Sequence, residues 1–243
     1  MDERYYNDIE EIKEILRNSS HAVFFGGAGV STASGIPDFR GAAGLYTVSD
    51  EPAEYFLSRE CLIEEPERFF QFYREKMLYP DARPNDAHYA LARLEAEGVI
   101  KAVITQNIDG LHQMAGSRNV LELHGTVARS YCDRCGRTYP LDSISAVSGV
   151  PRCTCGGIVR PDVTLYGESL PAEAFNTAAE HIENADVLIV AGSSLTVFPA
   201  ASLVADFQGE HLIIINYSPT PYDDYAEYVI RDSLVDVLSV LAD

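Results

Sequence analysis

The sequence predicts an α/β fold: a domain built on a parallel sheet, with a second, smaller domain formed by insertions. Short apolar runs alternate along the chain with stretches of helical periodicity, which is the order expected of βαβ units. The runs Val187–Ala191 and Leu212–Asn216 are strongly apolar and β-branched, as fully buried parallel strands are. Two stretches, 42–84 and 127–160, interrupt this alternation. They are assigned to the smaller domain.

The first half of the chain supplies two helices and a strand around the first insertion. Apolar residues at helical spacing predict an amphipathic helix near Ile9–Arg17, followed by a buried strand at His21–Phe25. The first insertion shows helical spacing around Phe69. A helix over 85–97 is expected to start at Asn85 as N-cap and to end before Gly98.

The second half continues the alternation of strands and helices. The runs Ala102–Thr105 and Val120–Leu123 are predicted strands, and Ser233–Leu241 is a predicted amphipathic helix. The expected division is 1–41, 85–126 and 161–243 for the large domain, and 42–84 with 127–160 for the small one.

Bulk composition limits the classes of function. The chain has 243 residues, 47% of them hydrophobic, and a formal net charge of -19. Such a charge repels phosphates and argues against direct binding of nucleic acid, although it is compatible with attraction of basic, lysine-bearing segments. No apolar run approaches the roughly 20 residues that span a bilayer. The N-terminus lacks the apolar core of a signal peptide, so we expect a cytoplasmic protein without a membrane anchor.

The most informative segment follows the strand at His21–Phe25. It begins with Gly26 and runs to Asp38, Phe39 and Arg40. Glycines after a buried strand let the backbone approach a ligand closely, and amides there can cradle a phosphate. The dinucleotide fingerprint G-x-G-x-x-G is only half present, because Thr32 stands where the third glycine would be. The added acid, aromatic ring and arginine predict a site that holds a nucleotide and acts on it.

Four of the five cysteines form two close pairs, Cys132 with Cys135 and Cys153 with Cys155. Two such pairs in a cytoplasmic chain predict a structural zinc ion, bound by four thiolates that leave no open position. Disulfides are the alternative, which a reducing compartment disfavours. The second pair is C-x-C rather than the usual C-x2-C, which puts the zinc affinity in question. Cys61 has no partner in sequence and is predicted to be a core residue.

Polar residues follow two predicted strands at the expected ligand edge of the sheet. Gln106, Asn107 and Asp109 come directly after Ala102–Thr105, alternating with apolar residues, which is costly there unless the polar groups bind a ligand. A hydrogen-bonded loop with a helix cap is the alternative. His124, followed by glycine, ends the next strand and is predicted to be an exposed, adjustable base with a pKa near neutrality. His112 is interpreted as a supporting residue.

These motifs, taken together, resemble the sirtuin family of NAD-dependent protein-lysine deacylases, of the bacterial or archaeal type with a single catalytic domain. The match continues through Arg160–Glu168, Gly192–Leu195 and Ile215-Asn216, and it covers nearly the whole chain. The resemblance implies a large Rossmann-like domain and a small zinc-bearing domain, with NAD and acyl-lysine in the cleft between them. Oligomeric state does not follow from it.

The resemblance also implies roles for individual residues. The NAD phosphates and nicotinamide ribose would be contacted by Ala28, Gly29, Ser31, Thr32, Phe39 and Arg40. Gln106 and Asn107 would hold that ribose, and Ile108 and Asp109 would line the nicotinamide pocket. The adenosine half would be supported by Ser193, Ser194, Asn216, Tyr217 and Asp232. Zinc would be bound by Cys132, Cys135, Cys153 and Cys155.

The implied chemistry consumes NAD without moving a hydride. Nicotinamide leaves, the acyl-lysine oxygen attacks the ribose, and His124, with Asn107 as the other catalytic residue, acts as general base for transfer of the acyl group to ADP-ribose. The acyl-lysine segment would add as a strand beside Val163, Thr164, Tyr166 and Gly167.

Two details bear on the acyl group. Thr164 stands where the family usually has a more apolar residue. Lys76 stands where sirtuins that prefer acidic acyl groups have arginine, and an ammonium lacks the planar fork of a guanidinium. Acetyl and other uncharged acyl groups are therefore favoured.

Three other functions share some of these features. An NAD-dependent protein ADP-ribosyltransferase would use the same nicotinamide cleavage, but the intact motif around Asn107 and His124 argues against it as the main activity. A non-catalytic NAD- or ADP-ribose-binding module would show decay of the catalytic set. A dehydrogenase is disfavoured by the missing third glycine and by the cysteine module.

Overall fold

The computed structural model describes residues 3–38 and 52–243. The described helices are α1 (Glu3–Asn18), α2 (Ala53–Phe56), α3 (Arg59–Glu64), α4 (Pro66–Lys76), α5 (Asp86–Ala96), α6 (Leu111–Ala115), α7 (Asp142–Ser145), α8 (Ala172–Glu183), α9 (Ser202–Ala205) and α10 (Leu234–Leu241). The described strands are β1 (Ala22–Gly26), β2 (Ile100–Thr105), β3 (Val120–Glu122), β4 (Gly125–Cys132), β5 (Thr138–Pro140), β6 (Val159–Val163), β7 (Val187–Ala191), β8 (His211–Ile215) and β9 (Tyr228–Ile230). None of the helices in these ranges is long and apolar enough to cross a membrane.

The larger sheet has six described strands in the order β3-β2-β1-β7-β8-β9, and every pair in it is parallel. This is the strand order of a doubly wound Rossmann sheet, in which the connection direction reverses at the centre. β1 and β7 are the neighbours at that reversal, and both are completely buried. The predicted α/β class with a parallel sheet is confirmed.

Two hydrophobic cores cover the two faces of this sheet. One contains Ile12, Leu91 and Leu238, from α1, α5 and α10. The other contains Ile182 and Leu203, from α8 and α9. Burial on both faces explains why the central strands read as continuous apolar runs rather than as alternating patterns.

Local signals set the ends of the helices much as predicted. The Asn85 side chain accepts from the Ala87 amide and forms a capping box with His88, while Gly98, just beyond α5, has φ +78°. Ser233 caps α10 by accepting from the Asp236 amide. α1 starts at Glu3, six residues before the predicted Ile9, since its first turns present mostly polar residues and carry little apolar periodicity.

The second sheet is antiparallel, with described strands in the order β5-β4-β6. It packs against the helices of the first insertion in a third core that includes Leu57, Phe70, Tyr73, Cys132 and Leu165. Both insertions therefore contribute to one smaller unit, as the fold class predicted. Cys61 is fully buried in this core, which confirms its predicted place. The predicted domain boundaries after 126 and after 160 both fall inside strands of this sheet, and they stay a prediction.

Candidate active site

The loop after β1 lies against the end of β7. The Gly27 amide donates to the Ala191 carbonyl at 3.1 Å, and the Gly29 amide donates to the Gly192 carbonyl at 2.8 Å. A Cβ on Gly27 would lie 2.7 Å from the Gly192 carbonyl oxygen, and one on Gly29 would lie 2.6 Å from its Cα. These two glycines are thus required by close packing of the loop on Gly192, and the close approach to a ligand that the sequence suggested stays a prediction. After β7, Gly192 itself has φ +60°.

A hydrogen-bond network joins this loop to the segment after β2. The buried Ser31 hydroxyl donates to Asp109 Oδ2 at 2.7 Å. Asn107 Nδ2 donates to the Ser31 hydroxyl and to the Gly27 carbonyl, each at 3.1 Å. The second Asp109 oxygen accepts from the Leu111 amide at 2.9 Å. The hydrogen-bonded loop of the predicted alternative thus describes part of what these side chains do, although the N-cap of α6 is Gly110 and Asp109 precedes it.

The segments after β2 and β7 are joined as well. Gln106 Nε2 donates to the Ser193 hydroxyl at 2.9 Å. The Gln106 carbonyl lies 2.8 Å from His124 Nδ1. A carbonyl only accepts, so Nδ1 carries the hydrogen and Nε2 of His124 is left as the basic nitrogen.

His124 is partly buried rather than exposed, which corrects the sequence-based prediction. The reason is that the glycine following it, Gly125, starts β4 and pairs with Val163, so the histidine stands in the seam between the two sheets. Burial lowers the pKa of His124 below its ordinary value, and the hydrogen bond with the Gln106 carbonyl opposes this only in part.

One cavity of about 1130 Å³ brings the predicted NAD and peptide residues together. This volume slightly exceeds the roughly 300–1,000 Å³ of typical ligand pockets and suits a dinucleotide together with a peptide side chain. The predicted residues that line it are Ala28, Gly29, Ser31, Thr32, Gln106, Asn107, Ile108, Asp109, His124, Val163, Thr164, Tyr166, Gly167, Ser193, Ser194, Asn216, Tyr217 and Asp232. Phe39 and Arg40 lie outside the described residues.

Sequence reasoning missed one wall of the cavity. Leu141, Asp142 and Ser145, in and beside α7, line it together with residues of α4. No motif marks them, because α7 is a single turn in the cysteine-bearing insertion. Phe198, after β7, was missed as well and is 68% exposed at the cavity rim. An exposed aromatic residue in a loop carries no periodicity that could have predicted it.

The wall from α4 contains Tyr73 and also Lys76, the residue that the sequence predicted to bear on the acyl group. The Tyr73 hydroxyl is buried without a hydrogen-bond partner among the described residues, and burial raises its pKa well above the ordinary value, so it stays protonated. A buried, unpaired hydroxyl beside a ligand cavity is available to a polar ligand atom.

The predicted peptide-binding segment contacts both sheets and the first insertion. The Thr164 amide donates to the His124 carbonyl at 3.0 Å, beside the proposed base. The Tyr166 amide donates to the Leu57 carbonyl at 3.0 Å, and the Arg59 amide donates to the Tyr166 carbonyl at 2.9 Å. The backbone of the segment is therefore joined both to His124 and to the helices of the first insertion.

His112 lies behind this site rather than in it. Its ring is buried, packs 4.8 Å from the ring of His88 between centroids, and has no hydrogen-bond partner for either nitrogen among the described residues. Burial lowers the pKa values of both histidines. Its place in α6, behind the cavity, agrees with a supporting role, which stays a prediction.

The two cysteine pairs meet at one point. All four Sγ atoms lie within 4.8 Å of one another, with Cys132–Cys155 at 3.4 Å and Cys135–Cys153 at 3.7 Å. A tetrahedron of thiolates around zinc, with bonds of about 2.3 Å, has edges of about 3.8 Å, so the four sulfurs fit this ion. Both contacts are far longer than the S–S bond of about 2.05 Å, and no disulfide forms among the described cysteines.

Glycine makes the short C-x-C spacing workable. The Cys153 carbonyl accepts from the Gly156 amide, and the Cys153 amide donates to the Gly157 carbonyl. Gly156 has φ +87°, a backbone conformation that favours glycine. A Cβ on Gly157 would lie 2.7 Å from Cys132 Sγ, so a larger residue would push into the cluster. The tight turn brings Cys155 to the other three sulfurs with one residue fewer.

Comparison with known proteins agrees with this geometry. A sequence profile described as the Sir2 family matches residues 27–199. The chain belongs to the Sir2 family. It is 54% identical to an NAD-dependent protein deacetylase of Cutibacterium acnes over 96% of each chain, and 51% identical to one of Clostridium acetobutylicum over 96% of this chain and 97% of that one.

Solved Sir2 structures share the whole architecture. One, with a deacetylated p53 peptide and 3'-O-acetyl ADP ribose, is 40% identical with a TM-score of 0.89 and covers 96% of each chain. Another, with a p53 peptide and NAD+, is 41% identical with a TM-score of 0.85 and covers 95% of each chain. The resemblance to sirtuins inferred from the sequence motifs is confirmed.

Proposed function

We propose that this Sir2-family chain is an NAD-dependent protein-lysine deacetylase that transfers the acyl group to ADP-ribose and releases nicotinamide. The observation that carries the proposal is the position of His124 in the cavity shared by the predicted NAD and peptide residues. Relatives named as NAD-dependent protein deacetylases, and Sir2 structures with peptide, NAD+ and 3'-O-acetyl ADP ribose, support it.

The NAD site would occupy the crevice outside the carboxyl ends of β1, β2, β7 and β8. Parallel sheets bind dinucleotides at this reversal of strand order. Gln106 and Asn107 would hold the nicotinamide ribose, with Ile108 and Asp109 around the nicotinamide. Ser193, Ser194, Asn216, Tyr217 and Asp232 would face the adenosine half, and all of these residues line the cavity. When bound, NAD supplies an activated ribose carbon whose leaving group is nicotinamide.

Three side chains of this chain prepare the site for that chemistry. Asp109 is held by Ser31 and by the Leu111 amide, so its carboxylate stays fixed beside the loop. The Asn107 side chain is oriented by Gly27 and Ser31. His124 keeps Nε2 unprotonated at neutral pH, because burial lowers its pKa, and it can accept a proton from a ribose hydroxyl.

The acyl-lysine substrate would lie along Val163–Gly167 as an added strand. Backbone pairing of this kind tolerates many peptide sequences, so we propose lysine-bearing proteins of varied sequence as partners. The cavity walls near Tyr73 and Lys76 are mostly apolar, with Leu57, Met77 and Leu78 beside them, which favours acetyl and other uncharged acyl groups. A cytoplasmic location remains part of this proposal.

The four-cysteine cluster would hold a structural zinc ion. Cys132 and Cys153 of this cluster lie in the core of the smaller unit with Phe70 and Leu165, so the metal would stabilise the wall that carries the peptide segment. We also keep the predicted division into a large domain of 1–41, 85–126 and 161–243 and a small domain of 42–84 and 127–160.

Product analysis tests the proposal. The purified, zinc-loaded protein is incubated with NAD and an acetyl-lysine peptide, and the products are separated by mass spectrometry. We expect nicotinamide, O-acetyl-ADP-ribose and the deacetylated peptide in equal amounts. ADP-ribosylated peptide as the main product would indicate a transferase instead, and unchanged NAD and peptide would overturn the assignment of an enzyme.

A competition among acyl groups tests the specificity. Acetyl-, butyryl- and succinyl-lysine forms of one peptide are mixed at equal concentration with NAD, and their rates of loss are compared. We expect the acetyl and butyryl forms to be consumed first. A preference for succinyl-lysine would show that Lys76 serves a carboxylate.

A further inference from the structure

A largely buried ion pair closes the segment to which the proposed function assigns the peptide. Arg160, in β6, donates through Nη1 to Glu168 Oε1 and through Nη2 to Glu168 Oε2, the latter at 2.8 Å. The side chains are only 7% and 19% exposed. The Arg160 guanidinium also lies 5.5 Å from the centre of the Tyr131 ring. This is a two-pronged contact of the kind that fixes geometry as well as charge.

Such a pair is a costly way to close a short loop. Arg160 and Glu168 are separated by only 8 residues, and desolvating two charges offsets much of their attraction. Buried ion pairs are therefore weak evidence of stabilisation, and a defined geometry is the better reason to keep one. Burial by itself would raise the pKa of Glu168, but the hydrogen bonds from Arg160 and the Leu165 amide hold this pKa below its ordinary value.

The two side chains also bind the backbone of the segment. Arg160 Nη2 donates to the Val163 carbonyl at 2.8 Å. Glu168 Oε2 accepts from the Leu165 amide at 3.0 Å. The ion pair is thus connected to the first half of the segment as well as to its end, while the Leu165 side chain is 3% exposed in the core below.

Contacts from outside complete the arrangement. Tyr166 exchanges backbone hydrogen bonds with Leu57 and Arg59, and the Thr164 amide reaches the His124 carbonyl. The backbone between Val163 and Glu168 is therefore fixed before any peptide arrives. An added strand pairs with backbone groups, so its affinity depends on how well this backbone is held in extended form.

We propose that Arg160 and Glu168 are positioning residues that hold Val163–Gly167 in the conformation that receives the acyl-lysine peptide. The inference rests on the proposed function, in which this segment binds substrate. Because the ion pair orders the segment during folding, the conformational entropy of the segment is not lost again when the peptide binds. It acts on peptide binding and leaves the NAD half of the cavity, after β7 and β8, unchanged.

The variant Glu168→Gln tests this role, because it keeps the size of the side chain and an acceptor for the Leu165 amide. We expect the KM for an acetyl-lysine peptide to rise between about tenfold and about a hundredfold, the range for a misplaced binding element, while the KM for NAD stays within about twofold. The matched control is Asp162→Asn, which breaks the neighbouring pair with Arg129; the Arg129 and Asp162 side chains are 61% and 40% exposed. This control should leave both KM values unchanged.

Further measurements separate positioning from folding. Arg160→Lys keeps the charge but loses the fork, so its peptide KM should rise less than that of Glu168→Gln. Hydrogen exchange of the unmodified protein should show the amides of 164–166 protected without peptide. Rapid exchange of these amides that slows only when peptide is added would overturn the proposal. A folded Glu168→Gln protein with an unchanged KM for the peptide would overturn it as well.

The two proposals fail differently. If the unmodified protein does not deacetylate the peptide with NAD, the proposed function fails. If it does so and the Glu168→Gln protein binds and turns over the peptide equally well, the function stands and the positioning role fails.

Discussion

His124 Nδ1 lies 2.8 Å from the carbonyl oxygen of Gln106. This contact fixes the neutral tautomer of the imidazole, because the carbonyl can only accept. It also links the proposed base to the segment that carries Asn107 and Asp109. Since Gln106 Nε2 donates to Ser193, one residue connects the base to the end of β7.

The pH dependence of catalysis should reflect the burial of His124. Burial lowers its pKa below the ordinary value of 6.5, so the neutral, basic form persists below that pH. We expect kcat/KM for the peptide to decrease only when the pH falls below about 6.5. The measurement is kcat/KM from pH 5 to 9 at saturating NAD, with protein stability checked at each pH. An acidic limb centred above 6.5 would contradict the assigned environment.

Ser31 should chiefly affect the affinity for NAD. The variant Ser31→Ala removes the donor to Asp109 and the acceptor for Asn107. Each lost hydrogen bond to a buried or charged group costs about 1–3 kcal/mol, so the KM for NAD should rise about tenfold or more. The matched control is Ser239→Ala in α10, which loses only a bond to the Val235 carbonyl. Equal NAD affinity in the two variants would remove Ser31 from the site.

Zinc binding should depend on the four clustered cysteines and not on the fifth, Cys61. Cys135 is exposed, so Cys135→Ser changes ligation with little loss of packing. We expect this variant to lose zinc and to unfold at a lower temperature, since ligation energy is folding energy for such a site. Cys61→Ala should retain one zinc per chain, although it leaves a small cavity. Metal analysis with thermal unfolding makes the comparison, and stoichiometric zinc in Cys135→Ser would contradict the assigned ligands.

The buried histidines should make the protein sensitive to acid. The pKa values of His88 and His112 are lowered in the folded state by burial, so the unfolded chain binds protons first as pH falls below 6.5. The stability that depends on these two groups is therefore complete above that pH. Below that pH this contribution to the free energy of unfolding is lost. The total loss for each histidine is about 1.4 kcal/mol per unit by which folding lowers its pKa. Protonation of His88 also breaks the capping contact of its Nδ1 with the Asn85 amide.

The variant His112→Phe tests this explanation. Its ring would fit beside Phe24, which already packs against His112 at 6.2 Å between centroids. We expect the free energy of unfolding in urea to fall less between pH 7 and pH 5 in the variant than in the unmodified protein. An equal fall in both would place the acid sensitivity elsewhere.

The sequence predicted much of the site because its chemistry is concentrated at strand ends. The central strands are continuous apolar runs, and the residues directly after them, such as Gln106 and Ser193, necessarily meet at one edge of a parallel sheet. The spacing of the cysteines likewise predicted that four thiols would cluster. The packing of Gly29 on Gly192 was not predictable, because it depends on the pairing of β1 with β7.

Contacts between distant segments could not be inferred in the same way. The burial of His124 depends on the passage of the chain from β3, in the larger sheet, to β4, in the second sheet, at this residue. The wall formed by Leu141 and Ser145 depends on Arg74, whose side chain binds the Ile144 carbonyl at 3.0 Å and so ties α4 to α7. A single sequence carries no periodic signal for such contacts, since each joins residues far apart in the chain.

The most direct test of the central claim is the yield of O-acetyl-ADP-ribose from the unmodified protein and from His124→Ala, with NAD and an acetyl-lysine peptide. We predict product from the unmodified protein and a loss of about a hundredfold or more in the variant, the scale of general acid–base catalysis, with NAD and peptide still bound. Equal product from both proteins would show that His124 is not the base on which this account depends.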